Sequence, residues 1–295
     1  MKGSYSKEDI LKAFKKIGIK TGDTVYVSSS LGLIGCPSTN IKSADDLCEL
    51  FYQAIWEVIG KNGTLIVPAF SYTFGKGTIS DPAVFDPQTT PADIGAFPNF
   101  VLKQDGVKRS LDPMLSVACK GKRCAEFIKD LPPTSYGDNS FLARLAKSDA
   151  KLLNLGIGPV WLPFVHHIDW LLHAPYRYDK LFTGFIKQGK KMVPAQWVYN
   201  VRMRMDNSYP STQAVGKMAE KAGLWKSAPL GKVKIFSIVC HPYFRFAKKA
   251  AEKNPWLLVK GPAVNPASLE ADEIKESKKT AWEFLRTRER KQKKS

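Results

Sequence analysis

This chain of 295 residues has no run of eighteen apolar residues, so it offers no segment suited to cross a membrane as a helix. Its start, Met1-Lys2-Gly3-Ser4, lacks the apolar core of a secretory signal, and the expectation is a soluble, cytoplasmic protein without membrane insertion. Cysteine is sparse: Cys36, Cys48, Cys119, Cys124 and Cys240 are odd in number and never spaced C-x-x-C. That spacing disfavours a zinc site and points to reduced, mostly structural thiols rather than a disulfide frame. No H-E-x-x-H pattern is present, so no metal is expected. Acid is in deficit, with 27 Asp and Glu against 45 Lys and Arg, for a formal net charge of +18. The last ten residues hold six basic side chains and one acid, which leaves +13 on the body. A basic body attracts anionic partners and says nothing of fold.

What is present reads as alternating helices and strands, an α/β layered architecture, with 44% apolar residues to fill its core. Ser6 to Ile19 has the spacing of an amphipathic helix, with Ser6 and Asp9 placed as a capping box. Thr24 to Val27 reads as a strand that ends at Ser28-Ser29-Ser30-Leu31. Ser43 caps a second helix, and Thr64 to Val67 forms the next strand, opening into Pro68-Ala69-Phe70-Ser71-Tyr72-Thr73. Gly75 to Pro98 is rich in Gly, Pro, Thr and Asp, the composition of a long functional loop. Further strands are expected at Val233 to Val239 and Trp256 to Lys260, and a β-rich insert at Phe182 to Tyr209. Ala267 to Ser295 reads as a charged surface helix fading into a basic, frayed tail. The expected organisation is one domain over 1–266, followed by a charged helix and tail over 267–295.

The most informative stretch is Lys151 to Asp169. Lys151 to Leu155 is too short for a helix and reads as a strand, delivered to the turn Gly156-Ile157-Gly158. Pro163 to His173 fits a helix, with proline in its first turn and Pro175 beyond its end. His166, Asp169 and His173 then share one face. An imidazole beside a carboxylate near the C-terminal end of a strand is suitable equipment for a general base.

Several motifs run in a fixed order: Val27-Ser28-Ser29-Ser30-Leu31, Gly63 to Thr73, Phe85-Asp86-Pro87-Gln88-Thr89-Thr90-Pro91 with Gly95, and Gly106 to Pro113 with Ser116. Gly156-x-Gly158 follows, with His166 and Asp169, and Asn254-Pro255-Trp256 closes the series. Together they resemble the aminoglycoside 3-N-acetyltransferase family, over roughly residues 5 to 260. The resemblance implies a three-layer α/β/α sandwich with a central mixed sheet and a loop-rich insert over the site. It implies an acyl-coenzyme A-dependent N-acyltransferase in which an amine attacks the thioester directly, His166 acts as base and Asp169 orients it. It places coenzyme at Ser28, Ser29, Ser30, Leu31, Thr89, Thr90, Arg109, Ser110 and Ser116. The acceptor would meet Phe70, Tyr72, Asp112, His167, Tyr176 and Arg177, with Asp112 close to the chemistry.

Three positions depart from the family pattern: Ser28 and Asp112 stand where it has histidine, and Pro163 where it has threonine. Chains with aspartate-proline at this motif resemble N-acyltransferases of bacterial surface-polysaccharide gene clusters. Departures and basic charge together favour a nucleotide-linked amino sugar as acceptor, with aminoglycoside 3-N-acetylation and antibiotic resistance as the alternative. A reading from another class, nucleic-acid binding, rests on Arg202-Met203-Arg204-Met205, Trp197, Tyr199, Tyr209 and the basic tail. No zinc-finger, RNP or helix-turn-helix signature accompanies those residues, which makes nucleic acid the weaker partner. A catalytically dead coenzyme-binding module is a third reading. A homodimer is compatible with everything above.

Overall fold

The structure, a computed structural model, describes residues 4–78, 80–265 and 271–292. Helices α1 (Lys7–Lys16), α2 (Ala44–Ile59) and α3 (Ala96–Leu102) pack on one face of a seven-stranded sheet. Helices α4 (Cys124–Ile128), α5 (Phe141–Lys147), α6 (Val165–Leu171), α7 (Gln213–Lys221) and α8 (Cys240–Lys253) lie on the other side of it. The sheet runs β4 (Lys108–Arg109), β5 (Val117–Gly121), β2 (Thr64–Pro68), β1 (Thr24–Ser29), β6 (Lys151–Leu155), β10 (Val233–Val239) and β9 (Lys226–Leu230). It is mixed: β1 is parallel to both β2 and β6, and the remaining pairs are antiparallel. The expected three-layer sandwich with a central mixed sheet is what the chain builds.

Alternation along each strand divides the core between the layers. Val25, Val27, Leu65, Val67, Leu153 and Leu155 face Phe14, Phe51 and Ile55, while Tyr26, Ile66, Leu152 and Ile238 belong to the opposite cluster with Phe127, Phe141 and Phe164. Helix starts follow their caps. Ser6 with Asp9 and Ser43 with Asp46 each form a complete capping box. Helix α1 stops at Lys16, three residues short of the expected end, because Gly18 has φ +83° and turns the chain.

A second, three-stranded sheet holds β3 (Val84–Phe85), β7 (Arg177–Gln188) and β8 (Lys191–Arg202). The β7–β8 hairpin is the expected β-rich insert, and β3 ties the long 75–98 loop to its edge. Helix α9 (Asp272–Gln292) lies against β7, with Ala281 fully buried and the Ser277 hydroxyl donating to the Asp179 carbonyl at 3.2 Å. Residues 266–270 and the tail residues 293–295 lie outside the described residues. No helix among the described residues is long and apolar enough to cross a membrane.

Two sequence expectations are corrected here. Trp256–Lys260 is not a strand; a turn led by Asn254 leaves only an isolated bridge between Val259 and Pro210. Cys119 and Cys124 are joined as a disulfide, not reduced: the turn from β5 into α4 brings their Cα atoms within 5.7 Å. Cys36, Cys48 and Cys240 are free.

Candidate active site

The parallel strands β1, β2 and β6 end on the same side, and their C-terminal loops frame the site. Ser30 N–H donates to the Leu155 carbonyl at 2.8 Å, which draws the end of β1 onto Gly156. Gly156 has φ +79°, and a Cβ there would collide with the Ser30 carbonyl, so the turn demands glycine. Ser28 is buried and its hydroxyl has no hydrogen-bond partner, while Ser29 and Ser30 are half-buried and Leu31 opens a 3-10 turn.

The loop after β2 is stitched to the segment before β5. Ser71 and Tyr72 N–H groups both donate to the Met114 carbonyl, and Thr73 N–H donates to that of Pro113. This brings Tyr72 near Asp112. Tyr72 sits in the left-handed region at φ +49°, and its ring meets Phe70 and Tyr199, each at 6.3 Å between centroids. Asp112 Oδ1 accepts from the Met114 and Leu115 N–H groups at 2.8 and 2.9 Å. Burial pushes the Asp112 carboxyl up to about 6, against the pull of those two N–H groups.

Arg109 is a brace. Its Nε donates to the Ser116 hydroxyl at 3.0 Å, Nη2 to the Ala69 carbonyl at 2.7 Å, and Nη1 to the Thr90 carbonyl. Its guanidinium also lies 5.0 Å from the centre of the Phe85 ring. The Ser116 hydroxyl donates to the Ala69 carbonyl, and the Ser110 hydroxyl accepts from Val117 N–H. Arg109, Ser110 and Ser116, the residues expected at the coenzyme, thus each hold a protein partner and stitch these segments together. Thr90 shares this framework through its hydroxyl, which accepts from Asp86 N–H, and Thr89 lies beside the Asp86 carboxylate.

Helix α6 carries the histidine pair, and the two rings part company. His167 is 1% exposed, its Nδ1 lies 2.5 Å from the Tyr136 carbonyl, and its ring stacks with Trp170 and Phe244. It is a core histidine, not an acceptor contact, since one residue along a helix turns the side chain about 100° away. His166 remains 21% exposed, with the Tyr136 ring 5.5 Å away. His173 falls beyond the helix end at φ +48° and leaves the shared face that the spacing implied.

The carboxylate expected to back His166 is held by other groups. Asp169 Oδ1 accepts from the Tyr176 hydroxyl at 2.7 Å, and Oδ2 accepts from Arg177 Nε at 2.6 Å. Arg177 Nη1 donates to the Asn200 carbonyl at 2.9 Å, and Nη2 lies 2.5 Å from His166 Nδ1. His166 Nδ1 is also 3.5 Å from Asp169 Oδ2, so the imidazole, the carboxylate and the Arg177 guanidinium form one cluster. Tyr176 and Arg177, expected as acceptor contacts, are instead almost sealed and hold Asp169. Burial and the Arg177 charge lower the imidazole to about 4, more than Asp169 offsets. Burial opposes the charge on Arg177, and Asp169 with the tyrosines Tyr136, Tyr199 and Tyr176 restores it. No sequence spacing announced Arg177 as a partner of His166: the hairpin brings it there from eleven residues away.

A cavity of about 1070 Å³ opens behind this group, between α6, the root of β7 and α9. Asp169 and Arg177 reach its wall, with Trp170 and Asp179, and α9 supplies Lys279 and Trp282. Two of the three aromatic residues named for nucleic acid are otherwise occupied: Trp197 is 5% exposed and donates to the Ser135 hydroxyl, and Tyr199 packs on Tyr136 and Phe182, while Tyr209 stays exposed with Arg202 and Lys260 over its ring.

Comparison with known proteins places this geometry. The family model described as aminoglycoside 3-N-acetyltransferase matches residues 33–252. The chain is 24% identical over 234 residues to aminoglycoside N(3)-acetyltransferase IV of Salmonella sp., covering 78% of this chain and 81% of that protein. In fold it is similar to aminoglycoside acetyltransferase AAC(3)-Xa, with TM-score 0.72 and 22% identity over 85% of this chain and 94% of that one. It is also similar to AAC-IIIb, solved as a binary complex with CoASH, with TM-score 0.70 and 19% identity over 88% and 99% of the chains. The expected nucleotide-linked acceptor is corrected by these matches: family model and relatives alike are named for aminoglycoside acetylation.

Proposed function

From the premise that the chain belongs to the aminoglycoside 3-N-acetyltransferase family, acyl-coenzyme A-dependent N-acetyltransferases, we propose that it acetylates an amine of an aminoglycoside. The observation that carries this reading is the family match across most of the chain, with His166 at the mouth of the parallel strands. The acyl donor supplies the thioester, and the protein supplies position. Ser28, Ser29 and Ser30 at the end of β1, with Thr89 on the loop behind β3, are the groups for the donor's amide and phosphate oxygens. The Ser28 hydroxyl is the best supported, since it is buried without a partner.

Asp112 serves the acceptor. A carboxylate close to Tyr72 and Tyr199 attracts a cationic amino sugar, and its raised affinity for protons marks it as responsive to a nearby ammonium. His166 is the group at the reacting atoms. The test is release of free thiol from acetyl-coenzyme A in the presence of gentamicin- and sisomicin-type aminoglycosides, with mass spectrometry of the product. A single added acetyl group on an aminoglycoside supports the reading, and no thiol release with any of them overturns it.

A further inference from the structure

We propose that the cavity between α6, the root of β7 and α9 binds a hydroxylated aromatic acid, at a site separate from those of the acyl donor and the acceptor. The recognising groups are Lys279, Trp282 and Arg286 of α9, with Asn200 of β8 opposite them.

The cavity holds about 1070 Å³, at the upper limit of ordinary small-molecule pockets, which run roughly 300–1,000 Å³. Helix α9 closes one side of it and lies beyond residues 33–252, the segment that the family model matches. The helix is seated on the hairpin: Ala281 is fully buried, and the Ser277 hydroxyl donates to the Asp179 carbonyl. Lys279, Trp282 and Arg286 are spaced i, i+3, i+7, so they share one face of α9, and all three line the cavity.

That wall carries positive charge with nothing to offset it. Across the cavity, Asp169 is neutralised by Arg177 at 2.6 Å, and Asp179 accepts from Asn200 Nδ2 at 2.8 Å. Among the described residues, no carboxylate pairs with Lys279 or Arg286. Such a wall repels a polycationic aminoglycoside and attracts an anion. A flat ring is the second requirement. Trp282 is 56% exposed, with the Arg286 guanidinium 4.7 Å from its ring centre, and Trp170 of α6 adds another indole to the lining. Indole and guanidinium both offer planar faces on which an aromatic ligand stacks.

The third requirement is a hydrogen-bond donor. Asn200 is 7% exposed, its Nδ2 is committed to Asp179, and its Oδ1 has no hydrogen-bond partner. A buried carbonyl left unpaired is destabilising, and a ligand hydroxyl satisfies it. The ligand thus brings an anionic group to Lys279 and Arg286, a ring to Trp282 and a hydroxyl to Asn200.

The probe is para-coumarate, titrated calorimetrically into the full chain at low salt. Saturable one-to-one binding is expected. Tyramine, of similar length with a positive group in place of the carboxylate, is expected to bind at least about tenfold more weakly. Cinnamate, which lacks the hydroxyl, is expected to lose about fivefold. Trp282→Ala and the double variant Lys279→Ala/Arg286→Ala change exposed side chains, so the fold survives them, and each is expected to weaken para-coumarate about tenfold. Affinity unchanged by saturating coenzyme A supports a separate site. No saturation by about 1 mM probe, equal affinity for tyramine, or variants that match wild type overturn the inference. Displacement by coenzyme A or by gentamicin also overturns it, since the cavity then belongs to the donor or to the acceptor.

Discussion

Asp169 and Arg177 meet at 2.6 Å between Oδ2 and Nε, with side chains only 2% and 4% exposed. A buried pair of this kind is costly to halve, because the survivor keeps its charge without its partner. Asp169→Ala is expected to destabilise the protein by about 3–5 kcal/mol, read from urea unfolding, whereas a loss below about 1 kcal/mol shows the pair to be solvated.

Position 166 separates chemistry from binding. His166→Ala is expected to lower kcat at least about 100-fold while leaving coenzyme A affinity by calorimetry unchanged. Turnover above half of the wild-type rate contradicts a catalytic His166.

Acid stability has two opposed contributions. His166 is held at about 4 in the fold against 6.5 ordinarily, so its contribution is complete above 6.5 and is lost as pH falls toward 4. Asp112 is raised from 3.8 to about 6, so its contribution is complete below 3.8 and is lost as pH rises through 6. Denaturant midpoints of His166→Gln should therefore gain on wild type as pH falls through that first window. Those of Asp112→Asn should gain as pH rises through the second. Parallel pH curves for all three proteins refute the assignments.

Arg109 binds three segments with one guanidinium, so its removal should loosen the loop bearing Thr89 and Thr90. Arg109→Ala is expected to cost on the order of 2–3 kcal/mol of stability and to raise the KM for acetyl-coenzyme A more than that for the acceptor. An unchanged melting temperature removes the bracing role.

Cys119 is buried and disulfide-bonded, so it offers no thiolate for a covalent acyl intermediate. Transfer should pass through a ternary complex, giving intersecting double-reciprocal plots. Parallel lines, or acyl label trapped on Cys119, refute direct attack.

Local signals in the sequence proved dependable where the physics is local. Ser6 with Asp9, Ser43, the strand at Lys151–Leu155 and the glycine turn after it are all written within a few neighbouring residues. His167 was misread because helix spacing alone does not reveal which side of α6 meets Phe244. The internal partners of Arg177 and Arg109 were not legible because they come from other elements, which no spacing encodes. The charge argument for a nucleotide-linked acceptor failed for a related reason. Net charge governs the far field, which salt screens within about 8–10 Å, whereas an acceptor is recognised by the few groups that touch it.

The β7–β8 hairpin joins parts that the chain order keeps apart. Its root holds Arg177 on His166, its edge strand β3 and the Lys187–Asp86 contact at 2.8 Å anchor the loop of Thr89 and Thr90, and its flank receives α9. One ribbon thus carries the guanidinium that meets His166, the loop of Thr89 and Thr90 and a wall of the cavity. The three therefore share one support, and a substitution that loosens the ribbon reaches all of them at once.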